Sequence, residues 1–415
     1  MSEFAIICFD AQKYPYHGLF HFQINPEYNM IDKSGIWKIP LSLWRYQCQI
    51  MPVLEKILIS DFRNIHLQEV EFSPNVNCIS GNNGEGKTNL LDAVYYLSMT
   101  KSAFAPSDRF AVRHGCEEFS LSGVYSMENG LKSRFSLKGS SKGDKKIWRD
   151  DKQYQKISEH IGLLPVVMVS PADVTMVSES GEERRKFVNS VLSQMSRSYL
   201  SNMQQYNRLL LQRNTLLKQA SLDYAFLEVI DMKMSQLAAP VYEERKKFVQ
   251  DLKPIVAEYY KAVSGDAECV DIEYSTELEH EPLEVILERS FQKDRIMKYT
   301  TSGIQRDDFI FTLNGYPIRR YGSQGQQKSF LVALKFAQYE IMKKNYGFAP
   351  ILLLDDVFDK LDMGRVSNLF QMVSSNDFGQ IFITDSNKVR MSGIVDSFTK
   401  DRAYFDTVSG TFTKL

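Results

Sequence analysis

Gly81-Asn82-Asn83-Gly84-Glu85-Gly86-Lys87-Thr88 fits the pattern G-x-x-x-x-G-K-[ST] and lies between an apolar strand pattern, 75–80, and a helical one, 88–100. No other feature constrains the fold so tightly. Glycines let backbone N–H groups turn inward around phosphate oxygens, and the helix that follows offers its positive N-terminus to the same anion. All eight residues are therefore candidate ATP contacts. Lys87 reaches the β- and γ-phosphates and is a candidate catalytic group; the Thr88 hydroxyl coordinates Mg²⁺. An eight-residue match alone arises by chance, but here Leu90, Leu91, Val94 and Leu97 give the following helix one apolar face.

A second element, Ile351-Leu352-Leu353-Leu354-Asp355-Asp356, is an apolar run ending in two acids. It reads as a buried strand with carboxylates at its C-terminal end, where open parallel sheets gather their ligands. Asp355 is placed to hold Mg²⁺, directly or through water, and Asp356 to orient the attacking water or take its proton. The two elements stand roughly 260 residues apart, so something is inserted between them.

Tyr321-Gly322-Ser323-Gln324-Gly325-Gln326-Gln327-Lys328 precedes a helical pattern from about 329 to 344. A serine hydroxyl, a glycine N–H and a helix N-terminus make a second phosphate cradle, with Ser323, Gly325 and Gln326 as its candidate contacts. The segment resembles the ABC signature, usually L-S-G-G-Q, in its S-x-G-Q-Q form. In that class the signature of one subunit closes over the nucleotide held by another, which implies a homodimer with ATP at the interface. Phe358-Asp359-Lys360-Leu361-Asp362 matches the position of the ABC D-loop, which crosses that interface. No histidine follows His280, so the role of the ABC switch histidine is missing or falls to Thr384 or Asp385. Asp356 stands where ABC enzymes more often have Glu. Both departures suit slow hydrolysis, and a switch more than a pump.

Composition sets limits on these readings. With 50 basic and 51 acidic residues the net charge is -1, so a nucleic-acid partner requires positive charge concentrated on one face. Residues 132–156 hold nine Lys/Arg against three Asp, on either a solvated face or a DNA-facing strand pair. Five scattered cysteines, Cys8, Cys48, Cys78, Cys116 and Cys269, form no CxxC pair, which fits a reducing, cytoplasmic compartment. Apolar runs fall short of the ~20 residues that span a bilayer, and there is no signal-peptide pattern.

Residues 1–50 lack a clean period and read as an extension upstream of a natural start at Met51, or as a small subdomain. Strand patterns cover 53–62, 68–72, 75–80, 308–313, 351–355 and 380–384, with two or three half-exposed strands in 119–157. Residues 182–264 are helical in pattern, broken at Pro240 and Pro254, with Tyr206, Leu209, Leu210 and Leu217, then Leu227, Ile230 and Met234, at helical spacing. This predicts an α/β lobe, a mixed sheet flanked by helices, from 51–180 and 296–415, interrupted by a helical arm or lid at 181–295, with 265–295 linking back.

From Met51 onward the chain resembles the RecF family of ABC/SMC-like ATPases. Leu58-Ile59-Ser60-Asp61-Phe62-Arg63-Asn64 is similar to the family's opening, which ends in F-R-N; there the Arg lies near the nucleotide, a role carried to Arg63 beside the alternative of a solvated turn arginine. Val169-Ser170-Pro171-Ala172-Asp173-Val174 and Gly181 to Phe187 are similar to S-P-x-D-L and G-x-x-x-R-R-x-F. Tyr206 to Leu217, with Gln212-Arg213-Asn214, resembles Y-x-x-x-L-x-Q-R-N-x-L-L. Thr301 to Asp308 resembles T-x-x-G-P-H-R-D-D, with Ile304-Gln305 in place of Pro-His. The resemblance implies ATP-dependent binding of DNA, preferring gapped duplex, weak DNA-dependent ATP hydrolysis, and work with RecR and RecO to load RecA in recombinational repair and replication-fork recovery. The alternative is the ATPase subunit of an ABC transporter, which the arm and the missing histidine disfavour. An SMC-like protein with a long coiled coil needs a longer arm than this one, at ~1.5 Å per residue.

Overall fold

The computed structural model describes residues 4–6, 38–40, 51–127, 130–179, 181–265, 268–357 and 378–415. The chain forms two units, 1–49 and 50–415. In the first, Phe4–Ile6 pairs antiparallel with Lys38–Pro40. The second holds everything that follows.

Its central sheet has six strands in the order Val166–Val169, Ile351–Asp355, Ile381–Asp385, Val76–Ser80, Arg402–Val408 and Thr411–Lys414. The first five run parallel and the last closes an antiparallel hairpin. Val76–Ser80, Ile351–Asp355 and Ile381–Asp385 are buried at every position, as expected of parallel strands covered on both faces. Successive side chains point to opposite faces, and each face feeds its own core. Ile79, Leu353 and Phe382 pack with Leu90, Leu91 and Val94 of the helix Lys87–Met99. Cys78, Leu352, Leu354 and Ile383 pack on the other side with Phe330, Leu334 and Ala337 of the helix Gln324–Tyr346.

The first core is roofed by a six-stranded antiparallel sheet, ordered Ile65–Glu71, Val53–Phe62, Glu118–Ser126, Lys132–Ser140, Lys145–Arg149 and Lys152–Gln153. The 119–157 segment thus contributes four strands where two or three are expected. Phe62, Tyr96 and Phe119 meet edge to face beneath it, centroids 5.3–5.8 Å apart.

The inserted segment forms helices Gly181–Met195, Arg197–Leu217 and Tyr224–Ser264. Contrary to expectation, neither proline breaks the last of these, which runs 41 residues. Pro240 and Pro254 lie on its exposed side, as do Gln236 and Gln250, whose carbonyls lose the missing N–H donors to water. The buried side is continuous from Leu227 to Val263. Residues 265–295 are more than a linker: Val270–Ser275 pairs antiparallel with Asp308–Leu313, and Leu283–Met297 is a helix. Nor does the arm stand free of the lobe. Its long helix packs along Gln324–Tyr346, with Tyr259 against Phe336 and Tyr260 against Phe330, so arm and lobe share one core.

Candidate nucleotide-binding site

Parallel pairing sets the site's geometry. The register aligns Asp355 with Thr384, Thr384 with Ile79, and Asp385 with Ser80. The loop Gly81–Gly86 therefore leaves the sheet beside both the acids and Thr384. Gly81 has φ 155°, and a Cβ there would come 2.6 Å from the Thr407 carbonyl. Gly86 caps the helix at φ 114°, and a Cβ there would meet the Asn64 amide at 2.9 Å. Both positions exclude a side chain. The C-terminal hairpin braces the loop from outside, with Gly410 N–H donating to Glu85 O at 2.7 Å. Lys87, 4% exposed, lays its ammonium across the loop, donating to Gly81 O at 2.7 Å and Asn82 O at 3.0 Å.

Thr88 Oγ1 donates to Asp355, lying 2.9 and 3.1 Å from its two oxygens. Thr384 Oγ1 donates to Asp355 Oδ1 at 2.7 Å and accepts the Asp356 N–H at 3.0 Å. Burial pushes the Asp355 carboxyl above the usual carboxylate range; the Thr384 and Thr88 hydroxyls pull it back, and the neighbouring Asp356 charge adds to the rise. A buried carboxylate beside a threonine hydroxyl is an all-oxygen donor set that suits Mg²⁺, which keeps waters and phosphate oxygens in its shell. Asp356 sits at φ 42°, a left-handed turn that Asp tolerates. Of the two candidates at the switch-histidine position, Thr384 touches both acids. Asp385 is held instead by Arg390, whose Nη2 lies 2.9 Å from each of its oxygens.

These groups open on a cleft of about 370 Å³ lined by Asn83, Gly84, Lys87, Thr88, Asp356 and Ser386, among others, a volume that suits a small-molecule ligand. Ser386 and Pro171 of this lining were not expected as site residues; Ser386 follows the strand Ile381–Asp385, and Pro171, though part of a recognised motif, comes to the cleft only through the pairing of Val166–Val169 with Ile351–Asp355. Arg63 is not part of the lining. Its guanidinium is bound to Asp92, with Nε at 2.9 Å and Nη2 at 2.7 Å, and to Ser102 Oγ at 2.8 Å. It is Asn64 that touches the loop, donating to Glu85 O at 3.2 Å and accepting from Asn89 at 2.7 Å.

Ser323, Gly325 and Gln326 also lie outside the cleft lining. Ser323 is exposed and caps the helix Gln324–Tyr346 through a reciprocal box: Gln326 N–H donates to Ser323 Oγ at 3.2 Å, and Ser323 N–H to Gln326 Oε1 at 2.6 Å. Further along, Lys328, Leu331 and Val332 line a narrow crevice with Asp356 and Pro171. The D-loop position, 358–362, lies outside the described residues.

Within the basic run, Lys145 turns away from solvent to Asp108 at 2.8 Å, whereas the cross-strand pair Lys138 and Lys146 is exposed. Residues of the remaining motifs form ion pairs, some fully buried and some at the edge of the core. Arg184 grips Asp308 with two bonds of 2.8 and 2.9 Å. Arg245 meets Asp307 at 2.5 Å. Arg213 bridges Asp231 and Asp294, both at 2.6 Å. Gln305 accepts the Tyr206 hydroxyl at 2.5 Å.

Comparison with known proteins agrees with this geometry. The profile of the RecF/RecN/SMC N-terminal domain matches residues 53–402. The chain is 45% identical over 358 residues to the DNA replication and repair protein RecF of Parabacteroides distasonis, covering 86% of this chain and 98% of that one. It is 40% identical over 349 residues to that of Flavobacterium johnsoniae, covering 83% and 97%. A solved structure of the recombination mediator protein RecF with ATP, in the RecFOR pathway, superposes with a TM-score of 0.81 at 28% identity over 89% of this chain and 99% of the other. An Smc head domain from Pyrococcus furiosus, 14% identical with a TM-score of 0.53 over 88% and 96%, shares the fold. The chain belongs to the RecF/RecN/SMC family, and within it to the RecF proteins of DNA replication and repair.

Proposed function

We propose that this chain is an ATP-driven switch that closes on DNA during recombinational repair and recovery of stalled replication. One observation carries the reading. The cleft gathers the P-loop, Thr88 and Asp356, with Asp355 bonded to Thr88, while the second phosphate cradle at Ser323 is exposed outside that cleft. A second copy of the chain supplies the missing cradle, so ATP joins two subunits. The transporter reading has no support among relatives named for replication and repair.

In this scheme Lys87 leaves the Gly81 and Asn82 carbonyls for the β- and γ-phosphates. Thr88 and Asp355 would hold Mg²⁺, which when bound would offset the triphosphate charge. Asp356 orients the attacking water or takes its proton, and Thr384 keeps the two acids in fixed relation where a histidine would otherwise stand. Arg63 supports the P-loop helix through Asp92. Hydrolysis is slow, a timer that releases the dimer. RecR and RecO are the partners, and RecA loading is the outcome.

The test is binding of the full chain to gapped and blunt duplex, with and without ATP, with oligomeric state followed in parallel. ATP should strengthen binding to gapped duplex and raise the dimer fraction together, and Lys87→Met should abolish both effects. Equal binding with and without ATP would refute the switch.

A further inference from the structure

The cap of the signature helix makes one contact that helix formation does not require. Gln326 Nε2 donates to Glu268 Oε1 at 2.5 Å. The other oxygen of Glu268 accepts the Tyr260 hydroxyl at 2.5 Å. Tyr260 is buried near the end of the 41-residue arm helix, and Glu268 lies two residues before the strand Val270–Ser275. One half-buried carboxylate therefore joins the arm to the signature.

The donor and acceptor inventory shows what this contact does. A carboxylate accepts hydrogen bonds, so the end of the Gln326 amide facing it is the NH₂. The amide oxygen is thereby turned to the Ser323 N–H, which it accepts at 2.6 Å. With the amide reversed, an NH₂ would confront that N–H, donor against donor, and the capping box would open. The box in turn orients Ser323. Its Oγ accepts the Gln326 N–H at 3.2 Å, and its own proton remains to be donated outward.

We infer that Glu268 is a positioning residue. It locks the Gln326 amide in the orientation that presents Ser323 as a hydrogen-bond donor to the triphosphate held by a second copy, and through Tyr260 it ties that orientation to the arm helix. The inference rests on the two-copy reading above. Packing of Tyr260 on Phe330, centroids 6.5 Å apart, couples the same two helices.

The test uses the full chain, with ATP binding by the monomer and ATP-dependent dimerisation measured separately. Glu268→Ala should leave ATP binding by the monomer unchanged and weaken dimerisation roughly tenfold, the scale of a hydrogen bond to a charged group. Glu268→Gln, which keeps an acceptor for Gln326, should recover most of the loss. Gln326→Ala should cost at least as much as Glu268→Ala, since it also removes the acceptor for the Ser323 N–H, and the double variant should be no worse than Gln326→Ala. Additive losses would mean that Glu268 does not act through Gln326, and would overturn the inference. So would wild-type dimerisation by Glu268→Ala when Ser323→Arg fails to dimerise. If Ser323→Arg itself dimerises normally, the two-copy reading falls first.

Discussion

At the scale of single residues, Asp355 is the point where stability and function oppose each other. Burial raises its carboxyl above the usual range, so the folded chain binds this proton more readily than the unfolded one. The charge of Asp355 therefore costs stability at neutral pH, and that cost is relieved as pH falls through the raised value. Asp355→Asn keeps an acceptor for Thr88 and Thr384 but removes the charge. It should raise the melting temperature of the nucleotide-free protein at neutral pH while abolishing Mg²⁺-dependent ATP binding. A lower melting temperature in calorimetry would contradict this. The local motifs, Gly81–Thr88 and Asp355-Asp356, were legible because their chemistry lies in adjacent residues. That Thr384, and not Asp385, touches both acids was not, because it depends on which strand lies beside which and in what register. Arg63 and Asn64 show the same limit. Both belong to a recognisable motif, but a turn with Arg63 at φ 54° sends the arginine to Asp92 and the asparagine to the loop.

At the scale of elements, the helical insert was legible from its periodicity, but its attachment was not. The segment Gln212-Arg213-Asn214 stands out as a motif without revealing a purpose. Its partners lie 18 and 81 residues away. In the fold, Arg213 is fully buried and spans Asp231 on the long helix and Asp294 on the helix Leu283–Met297, and Thr300 adds a bond of 2.9 Å. Removing one partner of such a network strands the others as buried, unpaired charge. Arg213→Ala should accordingly lose about 3–5 kcal/mol in urea unfolding, whereas truncating Arg208, exposed on the same helix, should cost almost nothing. Equal effects would show that the ion pairs do not hold the arm. The prolines carry a related lesson: Pro240 and Pro254 read as breaks, yet a helix tolerates them where the carbonyls they orphan face water. Sequence periodicity marks the buried side without saying how firmly it is held there.

At the scale of the whole molecule, the P-loop cleft and the exposed signature serine stand apart in one chain. The parallel sheet delivers the P-loop, Asp355 and Thr384 to one edge. The signature helix, braced by the arm, carries Ser323 outside that cleft. If two copies build each site, then each defect is repairable by the other. Lys87→Met loses the P-loop but keeps its signature, and Ser323→Arg loses the signature but keeps its P-loop. Neither variant alone should dimerise with ATP. Mixed in equal amounts, they should form heterodimers, each with one intact composite site, and sedimentation in the presence of ATP is the measurement that decides it. Recovery of an ATP-dependent dimer in the mixture, absent from either variant alone, is the expected result. A mixture that stays monomeric, or a Ser323→Arg protein that dimerises by itself, would contradict a site shared between two chains.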